Sequence, residues 1–143
     1  MKYELVATDT ITLNSRQTLT RIRALVDIPR HNVKRGNLGG YIENKENLSQ
    51  DGDAWVSINA RVFDKAQVFG EAKVFGQALV YGNAKIGGRA KVSGRASLGG
   101  HVEVLDDAKV FGDTLLSDNS KICGAGKIYG NYYTRTAKTR ITW

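Results

Sequence analysis

The chain has 143 residues, 24% charged and 41% hydrophobic, with a formal net charge of +7. That length holds one domain, no apolar run approaches the roughly 18 residues of a membrane span, and the single Cys123 excludes a disulfide framework. The start, Met1-Lys2-Tyr3-Glu4, lacks the apolar stretch of a signal peptide, so a reducing cytoplasm is the expected compartment.

In chain order, Tyr3-Glu4-Leu5-Val6-Ala7 and Thr10-Ile11-Thr12-Leu13 read as strand, with Asn14-Ser15 as a turn. A second strand runs from Thr18 through Arg21 and Arg23 to Val26, alternating so that one face is buried. Pro29 ends it, and Arg30-His31-Asn32 with Lys34-Arg35-Gly36 makes a basic loop. Gly39-Gly40 marks a tight entry into a repetitive region, with Leu48 already in the small-residue phase of the repeat. Residues 1–47 are expected to form an N-terminal β-hairpin cap that shields strand edges.

From Ala54 to Ile128 one six-residue phrase recurs without interruption. A step of six from Ala54 gives Ala60, Ala66, Ala72, Ala78, Ala84, Ala90 and Ala96, then Val102, Ala108, Thr114, Ser120 and Gly126. Two residues on, it gives an unbroken aliphatic series from Val56 to Ile128, and a third phase supplies Gly, or Asp at 64, 106 and 118. A small residue, any residue and an aliphatic residue form a short strand with two inward side chains and one outward. The Gly or Asp accepts the tight turn that begins the next side. Three sides close a triangular coil of about eighteen residues, and thirteen hexads predict a little over four coils. The fold class is all-β: a triangular β-solenoid over 48–131, with a basic, aromatic tail over 132–143 that alternates like a strand.

The hexads resemble the hexapeptide-repeat left-handed β-helix family, as in Val62 followed by Ala66 and Val68 followed by Ala72. The left hand of the parallel β-helix is what that resemblance implies. Leu38-Gly39-Gly40-Tyr41-Ile42-Glu43, Asn47-Leu48-Ser49-Gln50 and Ala54-Trp55-Val56, together with Val-Phe-Gly-x-Ala hexads, are similar to a group of small bacterial and prophage proteins, some named as acetyltransferases. The resemblance spans roughly Arg21 to Gly130. It implies a homotrimer and, for a phage-encoded protein, the host cytoplasm.

Stacking lines up outward residues every eighteen positions. One face carries Trp55, Lys73, Lys91, Lys109 and Lys127, beside Ser57, Phe75, Ser93, Phe111 and Tyr129. The second carries Arg61, Leu79, Ser97 and Leu115, beside Phe63, Tyr81, Gly99 and Ser117. The third carries Gln67, Lys85, Glu103 and Lys121, beside Phe69, Gly87, Leu105 and Cys123, an outward thiol at the surface or an interface. Exposed apolar columns mark interfaces, which assigns the subunit contact to Phe63, Leu79, Tyr81 and Leu115. The lysine column sets like charges one rung apart, an unfavourable arrangement that calls for Asp113 nearby, for solvent, or for an anionic partner.

These residues support two classes of function. The first is a non-catalytic, oligomeric binding protein without cofactor, in which Lys73, Lys91, Lys109 and Lys127 with Phe75, Phe111 and Tyr129 grip an anionic ligand or an acidic protein surface. The prophage resemblance implies a phage accessory protein acting on a host or defence-related partner, or on a phosphorylated nucleotide. The alternative is an acyl-CoA-dependent acyltransferase, with acetyl-CoA as cofactor and His101, in a turn facing outward on the second face, as general base. The repeat lacks the interrupting loop that usually builds that pocket. Two histidines, His31 and His101, do not make the three-imidazole zinc site of the family's carbonic-anhydrase branch. No motif for sequence-specific nucleic-acid readout is present.

Overall fold

The computed structural model describes residues 1–129 and 140–142. Strand β1 (Tyr3–Thr12) pairs antiparallel with β2 (Thr18–Ala24), which pairs antiparallel with β3 (Leu38–Ile42). Thirteen short strands come next, one per hexad. The first face stacks β4 (Trp55–Val56), β7 (Lys73–Val74), β10 (Lys91–Val92), β13 (Lys109–Val110) and β16 (Lys127–Ile128). The second stacks β5 (Arg61–Val62), β8 (Leu79–Val80), β11 (Ser97–Leu98) and β14 (Leu115–Leu116) onto β3, giving a seven-stranded sheet with β1 at its edge. The third stacks β6 (Gln67–Val68), β9 (Lys85–Ile86), β12 (Glu103–Val104), β15 (Lys121–Cys123) and β17 (Arg140–Thr142). All inter-coil pairings are parallel, and the molecule is a β-solenoid of about five coils.

The small and aliphatic phases are the core. Ala72, Ala90 and Ala108 are fully buried one coil apart, as are Val74, Val92 and Val110. Each fully buried valine or isoleucine contributes about 1.5–3 kcal/mol of transfer free energy, while alanine at the narrow position lets the sides approach. The corners hold left-handed backbone. Asp64 and Asp106 adopt it with φ of 57° and 59°, at a cost of about 1–2 kcal/mol for a residue with a Cβ. Their carboxylates offset this by accepting from the corner glycine one coil on, Gly82 N at 3.0 Å and Gly124 N at 2.9 Å.

The first coil departs from the expected register. Ile42 pairs with Val62 and Leu48 bridges to Val68, twenty residues apart rather than the eighteen that separate Val62 from Val80. Two extra residues lie between Leu48 and Val56, where Gly52 turns with φ of 70°. Leu48 therefore takes an aliphatic position beside Val68, not a small-residue one. This irregular coil raises the total above the four and a third counted from hexads. Gly39 and Gly40 are required by space rather than by conformation, since a Cβ on Gly40 would lie 2.4 Å from the carbonyl oxygens of both Ala60 and Ser57.

Hydrogen-bond polarity explains how the cap closes the solenoid. In each regular hexad three N–H groups donate to carbonyls of the next coil; Lys73, Phe75 and Gln77 donate to Ala90, Val92 and Gly94. Carbonyls of the first coil have no preceding coil to receive from, and buried carbonyls require partners. The cap brings donors. Lys2 Nζ donates to Ala54 O at 2.7 Å and Gly52 O at 3.3 Å, and Tyr3 Oη donates to Leu48 O at 2.6 Å. Arg21 donates to Gly39 O and Ile58 O, while Asp9 and Tyr41 fix its guanidinium. Apart from β17, which lies beside β15, the tail assigned to 132–143 falls outside the described residues.

Candidate functional site

The first face assembles the lysine column in register, Lys73 opposite Lys91, Lys91 opposite Lys109, and Lys109 opposite Lys127. Parallel rungs place such residues about 4.8 Å apart. The four lysines are not equivalent. Lys73 is half-buried with Nζ 4.9 Å from the centre of the Phe75 ring. Burial, helped by the charge of Lys91, lowers its pKa. Lys91, Lys109 and Lys127 are exposed, and among the described residues no carboxylate pairs with them. Asp113, expected to relieve the column, instead holds Arg95 at 2.8 Å.

Trp55 does not stand at the head of this column as an outward residue. It is only 2% exposed, because the loop from His31 to Leu38 folds over it. That loop also adds Arg30 and His31 to a cleft of about 430 Å³ along the lysines, lined further by Glu71, Arg89, Lys91, Asp107, Lys109, Ala125 and Lys127. Arg30 pairs with Glu71 and with Asp53 at 3.3 Å, and Arg89 pairs with Asp107 at 2.9 Å. The acids of the cleft are thus engaged by arginines, leaving the three exposed lysines as its uncompensated charge. Sequence reasoning missed Arg30, Glu71, Arg89 and Asp107. The available signal was a fourth column one residue past the corners, Asp53, Glu71, Arg89 and Asp107, in which a cation adjoins acids.

His31 is buried against the first coils, and its Nε2–H donates to the Glu71 carbonyl at 3.0 Å. Burial holds its imidazole below the ordinary histidine value. It anchors the loop that forms one wall of the cleft. On the other side of the lysines, Phe111 and Tyr129 stack with ring centres 5.3 Å apart, and Tyr129 remains 66% exposed. Phe75 is occupied by Lys73.

The second face differs from the open apolar column expected of it. Phe63 stacks on Tyr81 at 5.5 Å, and the Tyr81 ring lies across Gly99, where a Cβ would meet it at 2.3 Å. Phe69 covers Gly87 on the third face in the same way. Phe63, Leu79, Tyr81 and Leu115 are all half-buried within one chain. The strongly exposed aliphatics Val26, Leu38 and Ile58 belong to the cap end. Cys123 is buried, not on the surface, and β17 adds a further rung beside it with Thr142 in register.

His101 is exposed at the corner between the second and third faces and opens toward the third. There it lines a shallow groove of about 320 Å³ with Glu103, Asn119, Ser120 and Lys121. Its backbone N–H donates to Asp118 O at 2.6 Å. Among the described residues no group of three His, Cys, Asp or Glu side chains is placed to hold a metal ion, and no helix is long and apolar enough to cross a membrane. No protein-family model matches the chain, and no curated protein matches it in sequence.

Proposed function

We propose that this chain is a non-catalytic binding protein that takes an anionic group on its first face. The observation that carries the reading is the ladder of Lys91, Lys109 and Lys127, exposed along a cleft whose carboxylates are already held by Arg30 and Arg89. Like charges one rung apart repel, and an anion lying across them relieves that repulsion. The sequence resemblance supports a phage-type accessory protein acting on a host or defence-related partner or on a phosphorylated nucleotide. It also supports a trimer, for which the apolar column of Phe63, Leu79, Tyr81 and Leu115 is the proposed contact; a monomeric mass by light scattering removes that assembly.

The test is titration with inorganic tripolyphosphate. Binding is expected to weaken as salt rises, because exposed charge is screened beyond about 10 Å at 0.1 M. It should be lost in the Lys91→Glu, Lys109→Glu double variant, with the thermal transition unchanged because both side chains are exposed. Equal binding by parent and variant sinks the reading. The acyltransferase alternative with His101 as base has a separate readout, namely heat on titrating acetyl-CoA that disappears in His101→Ala.

A further inference from the structure

At the cap end of the face with the lysine ladder two aliphatic side chains stand exposed, Leu38 and Ile58. Trp55 pairs in register with Lys73, so the ladder begins one rung below it. Beside the loop that covers Trp55 lies a groove of about 530 Å³, lined by His31, Asn32, Asn37 and Ser57 as well as by Leu38 and Ile58, its exposed apolar side chains. Leu38 is 44% exposed and Ile58 50%, although the outward strand positions of this face from Lys73 on carry lysine, serine or aromatic residues and the corners equivalent to Ile58 carry Gly76, Gly94 and Gly112. Lys34 and Arg35 are exposed on the loop at the far rim. A free phosphate satisfies the lysines but leaves Leu38 and Ile58 without a role, and a nucleobase stacked on the exposed Tyr129 would lie at the opposite end of the ladder from them.

We infer that the first face binds an extended acidic polypeptide segment, with one aliphatic side chain seated against Leu38 and Ile58 and carboxylates laid along Lys91, Lys109 and Lys127. This rests on the anion-binding reading of the same face and specifies its partner. Charge complementarity and the collinearity of groove and ladder select such a segment. Lys73 is engaged by Phe75, so the first lysine open to a partner lies two rungs from Trp55 and the last lies four rungs away. At about 4.8 Å per rung these are spans of about 10 and 19 Å, and an extended chain rises about 3.3 Å per residue. The acids therefore fall about three to six positions from the apolar anchor.

The experiment uses fluorescence anisotropy with two labelled peptides and the full chain. One carries leucine with glutamates three to six positions later; the other has serine in place of the leucine. The leucine peptide should bind about tenfold more tightly, the worth of burying one such side chain. The Leu38→Ser, Ile58→Ser double variant should abolish that advantage and leave the serine peptide's affinity unchanged, which also shows that the variant is folded. Lys91→Glu with Lys109→Glu should weaken both peptides. Equal affinity of the two peptides for the parent overturns the groove assignment while the lysine reading stands. Binding of tripolyphosphate without either peptide likewise overturns it, in favour of a small anion. Failure of all three probes overturns both.

Discussion

The repeat and the cap both face the problem of satisfying backbone groups at a strand edge, and they meet it by different means. Inside the repeat the next coil supplies the partner, so identical hexads suffice and three carbonyls of each hexad are met by N–H groups of the coil before it. At the first coil no such neighbour exists. The cap answers with individual side chains, Lys2, Tyr3 and Arg21, each reaching carbonyls that lie far away in sequence. Periodicity therefore carries information about the repeat and none about the cap. A solenoid end is a site of particular chemistry, and at this end the chemistry is donation.

The repeat should accordingly be sensitive to volume and the cap to lost donors. Ala90→Leu gives the largest expected effect, because Ala90 is fully buried between Ala72 and Ala108. Overpacking there should cost about 3 kcal/mol, and an unchanged melting temperature would refute the triangular coil. Lys2→Met should cost less, about 1–3 kcal/mol, by stranding the carbonyls of Ala54 and Gly52. Urea melts of that variant read the loss, and a stability equal to the parent's would mean that the cap does not close the end by donation.

The smallest effect is one of pH. Burial lowers the pKa of Lys2 from 10.5 to about 8. Between those values the unfolded chain binds more protons than the folded one, so stability should rise with pH across the window and carry the full penalty below about 8. Tyr3 acts in the same pH region only above 10, since burial pushes its phenol up to about 12. Measurements between pH 8 and 9.5 therefore exclude Tyr3 but not Lys73, whose pKa burial also lowers, so the comparison with Lys2→Met assigns the Lys2 share. A rising stability in the parent that is shallower in Lys2→Met is the expected result, and parallel curves would show that Lys2 is not the titrating group.

Legibility in the sequence followed the same division. The stacking of Val74, Val92 and Val110, the three faces and the lysine ladder could all be read from a step of six. Trp55 could not, because its concealment depends on a loop more than fifteen residues upstream. Gly87 and Gly99 gave no sign in the hexad pattern that Phe69 and Tyr81 would lie across them. Those rings reach from the coil before, so an aromatic column that looked open covers itself. The same ignorance of tertiary neighbours made Asp113 look like a partner for the lysines when Arg95 holds it.

By itself the sequence determined the repeat, its inward and outward residues and the alignment of four lysines, because a period of six repeated thirteen times leaves one way to bury its small and aliphatic phases. Tertiary structure alone decided which of those lysines stay exposed, that Arg30 and Arg89 occupy the acids beside them, and that exposed Leu38 and Ile58 share a groove at the cap end. These depend on contacts between the irregular cap and the regular coils. No spacing encodes such contacts, since loop closure brings together residues whose separation bears no relation to the repeat.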